Sequence, residues 1–314
     1  MITERIDNIT KIPENYRVTA PPPPKSVKIE VTGKCNYRCG FCPLMTRETP
    51  GKDMDFNFFR EITAEMIALG VQEIGVFFMG ESFTSPDLLV KAIKHLKDIK
   101  TPYIFLTSNG AVASPIAVGR CMEHGLNSLK WSVNFADKTQ FSKMCGVKDS
   151  LFDMALENIR SAYEVREKLG YKTNLYASSI RYDDEQHNKM QALLDERVIP
   201  YVDQHYWLPL YSMGSLATAK EKELGLQPIA GNPGRYDNPV PPIPCWTLFT
   251  EAHIMSDGRM TACCADATGE WVMGDLTKET FMDAWYSKEF KQLRGEHLIG
   301  NVIGTKCENC VIYK

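Results

Sequence analysis

Six short apolar runs recur along the chain up to Trp207, each but the last followed by an amphipathic stretch, and this alternation predicts successive strand–helix units. The predicted strands are Val27–Val31, Val71–Phe78, Tyr103–Thr107, Ser128–Asn134, Thr173–Ile180 and Pro200–Trp207, all rich in Val, Ile, Phe and Tyr. Asp55, Ser85-Pro86, Ser114-Pro115 and Ser150 stand where helices should start, and Gly70, Gly125 and Gly170 where they should stop. Strands separated by helices must pair in parallel, so the predicted class is α/β. Six units make a partial (β/α)6 barrel, with any ligand at the carboxyl ends of the strands.

The run Pro21–Pro24 predicts an extended, rigid entry to the first strand. From Pro209 to Pro244 the periodicity fades among glycines and prolines, with one short helix expected near Ala217–Leu224. Beyond it, Phe249–Met255 and Arg259–Cys264 flank Asp257-Gly258, a hairpin signal. An amphipathic helix then fits Glu279–Leu293. This divides the chain into a barrel (1–208), a linker (209–244) and a small hairpin-plus-helix domain (245–314).

With 314 residues, 44% of them hydrophobic, the chain is long enough for one large core with an appended unit. A net charge of −3 without a run of Lys or Arg gives no reason to expect nucleic acid. The N-terminus lacks a basic segment leading into an apolar one, and no window approaches a membrane span; a cytoplasmic protein without a membrane partner is expected. In that compartment ten cysteines read as metal ligands rather than disulfides.

Cys35, Cys39 and Cys42 follow the first predicted strand with the spacing Cys-x3-Cys-x2-Cys. Three thiolates and no fourth suit a 4Fe-4S cluster with one iron left open for a small molecule. Structural zinc wants four ligands, usually as two close pairs, and fits poorly. The motif, with Phe41 before its last cysteine, resembles the radical S-adenosylmethionine (SAM) superfamily, whose members have a six-unit partial barrel. The resemblance implies reductive cleavage of SAM to a 5′-deoxyadenosyl radical that abstracts hydrogen from a substrate. It also implies cofactor contacts from Phe41, from Gly80 and Glu81 in Met79-Gly80-Glu81, from Ser108 and Asn109, and from Ser132 and Asn134. An external one-electron reductant, such as flavodoxin or ferredoxin, is a further implied partner.

Cys245, Cys263, Cys307 and Cys310 form a second set, Cys-x17-Cys and a later Cys-x2-Cys. Together with the hairpin-then-helix order it resembles the Twitch domain, the shorter relative of the SPASM domain, and implies one auxiliary 4Fe-4S cluster. Four cysteines suit zinc equally well, so zinc stays open here. The adjacent Cys264 leaves the ligand identity open, and Gly258, in the pattern Gly-x4-Cys, favours Cys263.

The combination looks most like the Twitch-type 2-deoxy-scyllo-inosamine dehydrogenases, which oxidise a secondary alcohol of an aminocyclitol. It implies oxidation of a small polar metabolite, with the auxiliary cluster as electron acceptor. Modification of a peptide or protein side chain, as by SPASM maturases, is the alternative; radical epimerisation is another, with Cys145 or Cys121 as hydrogen donor. A non-catalytic electron carrier fits the intact three-cysteine motif poorly. For a proton acceptor, late strand ends offer Arg181, Asp203, His205 and Tyr206.

Overall fold

The computed structural model describes residues 1–47, 51–211, 222–229 and 231–311. Six parallel strands, β1 (Ser26–Ile29), β2 (Glu73–Gly75), β3 (Tyr103–Ser108), β4 (Ser128–Ser132), β5 (Asn174–Arg181) and β6 (Gln204–Pro209), pair in sequence order. Helices α2 (Phe56–Ala68), α3 (Pro86–Asp98), α4 (Pro115–Glu123), α5 (Lys138–Cys145), α6 (Ser150–Leu169) and α7 (Asp184–Arg197) lie between them. The expected partial barrel is therefore present.

Local chemistry sets the boundaries. Asp55 and Ser114 accept hydrogen bonds from the first turns of α2 and α4, and Gly70, Gly125 and Gly170 end helices at positive φ. Ser85 turns its hydroxyl to Asp53 instead of capping α3. Strand β2 is shorter than Val71–Phe78, because after Gly75 the chain leaves the ladder for the loop through Gly80. Strand β6 starts at Gln204 and not at Pro200: Pro200 has no N–H for a ladder and sits in a one-turn 3-10 helix, Ile199–Tyr201.

The sheet does not stop at β1. Strand β9 (Glu251–Ile254) pairs with it in parallel, and β10 (Arg259–Thr261) and β11 (Val272–Asp275) follow in antiparallel order. The two-residue strands β7 (Gly234–Arg235) and β8 (Asn238–Pro239) form a separate hairpin. The hairpin signal at Asp257-Gly258 is thus realised, but as an extension of the barrel sheet. The predicted helix over Glu279–Leu293 is two helices, Phe281–Trp285 and Lys288–Leu298, because Ser287 caps the second. The helix expected near Ala217–Leu224 lies mostly outside the described residues. None of the described helices is long and apolar enough to cross a membrane.

A helix absent from the sequence reading, α1 (Ile2–Thr10), closes the barrel from below. Arg5 pairs with Glu73 at 2.6 Å at the start of β2, Thr3 meets Gln204 of β6, and Asp7 pairs with Arg235 at 2.8 Å.

Arg294 joins the C-terminal segment to the rest. It is fully buried, stacks on Trp285 and Phe290, and donates to the carbonyls of Leu248 and Trp285, each at 2.7 Å. Trp285 in turn donates to the Pro22 carbonyl, fixing the proline run. Burial pulls the guanidinium down to about 9. Arg294→Met should leave these carbonyls unpaired and cost about 3 kcal/mol or more of stability, read as a lowered melting temperature of the anaerobically purified protein; an unchanged one would contradict this role.

Candidate functional site

The first three cysteines lie on the loop after β1, and backbone contacts fix that loop from two sides. The N–H groups of Arg38 and Gly40 donate to the carbonyls of Cys145 and Met144 at 2.8 and 2.9 Å, where α5 ends. Gly146, at φ 64°, lies so close that a Cβ would stand 2.5 Å from the Arg38 carbonyl. On the other side a Cβ on Gly80 would stand 2.1 Å from the Thr32 carbonyl, and the Glu81 N–H donates to Lys34 O. Burial pushes the Cys35 and Cys42 thiols up to about 12. Cys39 is raised as well, by its hydrogen bond with the Cys145 sulfur and by burial. Cys145 thus lies against this set, whereas Cys121 is buried in the core on α4.

Glu81 is a brace. Its carboxylate accepts from the N–H groups of Asn109 (2.7 Å) and Phe83 (3.1 Å) and from the Ser108 hydroxyl (3.0 Å), while burial pushes it up to about 6. Both oxygens accept hydrogen bonds from within the chain, and the side chain is buried. The Asn109 amide donates to Asn36 Oδ1 at 2.8 Å. Glu81, Ser108 and Asn109 therefore tie three loops together beneath the cysteines.

A cavity of about 390 Å³ fills the barrel interior. Phe41 and Cys42 line its upper wall, Ser132 and Asn134 a side wall, and Arg5 and Ile2 of α1 its floor. Tyr206 also faces it, with its phenol raised to about 12 by burial, so that it keeps its proton at neutral pH. The other proton-acceptor candidates do not line it. His205, one residue from Tyr206, faces the opposite side of β6, bonded to Ser179 at 3.0 Å and lowered to about 4 by burial. Asp203 precedes β6 and pairs with Arg166 at 2.6 Å. Arg181 reaches outward to Asp184.

Sequence reasoning missed Arg5, Lys28, Lys130 and Glu251, all of which line the cavity, and weighed Cys264, which lines it too, only as a cluster ligand. A signal existed for two of them: Val27-Lys28-Ile29 and Leu129-Lys130-Trp131 each set a charge between side chains buried on the opposite face. Lys28 pairs with Glu251 at 2.8 Å, and Glu251, also bonded to His253 at 2.7 Å, is lowered to about 2 by these partners against its burial.

The second cysteine set gathers where the hairpin, the segment before it and the C-terminal turn meet. Burial pushes Cys245 up to about 12 and raises Cys307, and Cys310 lies close enough to raise both further. Cys263 is raised by its hydrogen bond with Cys264, by burial, and by Cys310 and Cys245. Cys264 is shifted in the opposite direction, although it lies against Cys263 and near Cys245. It accepts from Asn232 Nδ2 at 3.4 Å, and the hydrogen bond from Cys263, with His253 and Lys28, pulls it down against burial. One cavity thus touches Cys42 of the first set and the neighbour of Cys263 in the second. Replacing Cys263 by Ala should remove about four irons per chain after anaerobic reconstitution, and Cys264→Ala should remove none; the reverse pattern would exchange their roles.

Residues 29–177 match the family model of the Radical SAM superfamily, and residues 245–311 match SPASM, an iron-sulfur cluster-binding domain. A probable GTP 3′,8-cyclase of Sulfurisphaera tokodaii is 27% identical over 141 residues, 44% of this chain and 42% of that protein. The chain thus spans less than half the length of the curated relatives it matches. SuiB of Streptococcus suis bound to precursor peptide SuiA is similar in fold (TM-score 0.66, 14% identity, 93% of this chain and 70% of that one). So is BtrN in complex with AdoMet and 2-DOIA (TM-score 0.56, 16% identity, 91% and 92%). The radical SAM domain implies a 4Fe-4S cluster and SAM, and the SPASM domain an auxiliary iron-sulfur cluster. Among the described residues no three Cys, His, Asp or Glu side chains stand close enough to hold a metal ion as placed, but the chemistry of the two thiol sets suits these groups: bare thiolates at such half-buried positions are disfavoured unless metal charge compensates them. Beside Cys35, moreover, a buried Asn36 Nδ2 has no acceptor. The chain thus carries a radical SAM domain followed by a C-terminal SPASM iron-sulfur cluster-binding domain.

Proposed function

We propose that the protein oxidises a small polar metabolite held in the barrel cavity, with Cys35, Cys39 and Cys42 holding the SAM-binding cluster and Cys245, Cys263, Cys307 and Cys310 the auxiliary one. When bound, these groups supply a hydrogen-abstracting radical and a one-electron acceptor. The observation that carries the reading is the cavity itself, whose wall includes Cys42 and, elsewhere, Cys264 beside Cys263. Residues of both thiol sets or their neighbours would thus hold the two groups next to one substrate space, where loss of a hydrogen atom, an electron and a proton to solvent would complete a two-electron oxidation.

The chain's own residues do the holding. Backbone around Gly80, with Ser132, Asn134 and Phe41, offers polar groups and an aromatic face to SAM at the strand ends; Glu81, Ser108 and Asn109 keep that loop in place. Tyr206 offers a hydrogen-bond donor to the substrate. Helix α1 and Trp246 restrict water from below and from the side. An external one-electron reductant such as flavodoxin or ferredoxin completes the set of partners.

The BtrN structure, which contains 2-DOIA, supports a small-molecule substrate through its likeness over nearly all of both chains. The SuiB complex gives the peptide reading its support. A cavity of about 390 Å³, floored by α1, favours the small molecule.

The test is anaerobic turnover of the reconstituted protein with SAM, reductant and a panel of polyols and aminocyclitols. Wild type should form 5′-deoxyadenosine together with a substrate oxidised by two electrons, and Cys39→Ala should form neither. Cys307→Ala should still cleave SAM while losing the oxidised product. Products conserving the substrate's oxidation state would exclude the oxidation.

A further inference from the structure

Three cations meet inside the barrel, and the structure supplies carboxylates for two. Arg5, on α1, pairs with Glu73 at 2.6 Å. Lys28, on β1, pairs with Glu251 at 2.8 Å, and Glu251 is bonded to His253 as well. Lys130, on β4, has no carboxylate partner among the described residues; what faces it is the Tyr206 ring of β6 at 5.9 Å. Its flanking residues Leu129 and Trp131 are fully buried on the outer face of the strand, so the lysine projects inward, and its remaining exposure opens into the cavity.

We propose that Lys130 anchors an anionic group of the substrate, so that the cavity takes a small metabolite bearing a carboxylate or a phosphate. The inference rests on the reading that the cavity is the substrate site. An ammonium taken out of water without a counter-ion is unfavourable, and two neighbouring cations make it more so. Burial first, then Lys28 and Arg5, pull Lys130 down to about 7. An anion brought by the substrate reverses both effects: it offsets the lost hydration and screens the repulsion from Lys28 and Arg5. Binding then favours the protonated amine and takes up a proton near neutral pH. The ammonium is a compact point charge that suits either anion, so the geometry selects charge rather than headgroup shape.

The experiment is calorimetric titration of the anaerobic, SAM-loaded holoenzyme with three probes of similar size: glucuronate, glucose 6-phosphate and uncharged glucose. At least one charged probe should bind about tenfold or more tightly than glucose at pH 6. Glucuronate, whose own charge is constant, should lose about tenfold in affinity between pH 6 and pH 8 as the lysine deprotonates. A preference for glucuronate names a carboxylate substrate, and one for glucose 6-phosphate a phosphorylated one. Lys130→Met should abolish the charge preference, and Lys130→Arg should keep it while losing the pH dependence.

The proposal is overturned if neither anion binds more tightly than glucose, or if the preference survives in Lys130→Met. Loss of turnover in Lys130→Met with unchanged anion affinity would also overturn it, making the residue a proton acceptor. Charge-selective binding without any oxidised product would leave the anchor standing and remove only the oxidation.

Discussion

Parallel pairing of β9 with β1 is the constraint on which the rest of the molecule depends. Strand β1 ends in the loop that carries Cys35, Cys39 and Cys42, and β9 leads through its hairpin to Cys263 and Cys264. Adjacent strands lie about 4.8 Å apart, so one four-residue ladder brings the two thiol sets to the same barrel. The same pairing covers the edge of β1 that an open barrel would leave unsatisfied. It also sets Lys28 opposite His253 and two residues along the same face from Glu251, so that Lys28 and Glu251 pair diagonally inside the cavity.

That ladder makes the C-terminal segment part of the barrel's architecture. The main apolar core runs without interruption from Val27 and Ile74 to Phe249, Trp285 and Phe290. Arg294 and Trp285 extend the continuity in polar terms, binding backbone carbonyls of the hairpin side and of the proline run before β1. A segment that holds its own thiol set is thereby kept in fixed relation to the first.

The strand–helix alternation was legible because parallel strands buried on both faces are short apolar runs, and because caps and stop glycines punctuate the helices. Both cysteine sets were legible for a different reason: ligand spacing survives in sequence whatever the fold. The cavity was not. Tyr206 and His205 are equivalent candidates as neighbours in sequence, yet one step along a strand reverses the face, and only the sheet decides which lines the interior. Glu81 is a parallel case: its carboxylate is present in the motif, but that it accepts from Ser108, Asn109 and Phe83 is a fact of three-dimensional packing. Helix α1 escaped although Ile2, Ile6 and Ile9 stand at helical spacing, because three apolar positions in nine residues make a short signal.

Those charges explain how α1 serves as a floor. Its apolar face meets the cavity, while its polar residues clasp three different parts of the chain: Arg5 on Glu73 of β2, Thr3 on Gln204 of β6, and Asp7 on Arg235 and Asn238 of the β7–β8 hairpin. The hydrogen bond from Arg235 holds the Asp7 carboxyl below its ordinary value, against its partial burial. A lowered acid stabilises the fold above its unfolded-state pKa and loses that contribution only as pH falls through the folded one, so this clasp is intact at neutral pH and weakens in acid. Charge thus does two jobs around one cavity: at the periphery it is paired and fixes the floor, and at Lys130 it is left unpaired and faces the space that a substrate would fill.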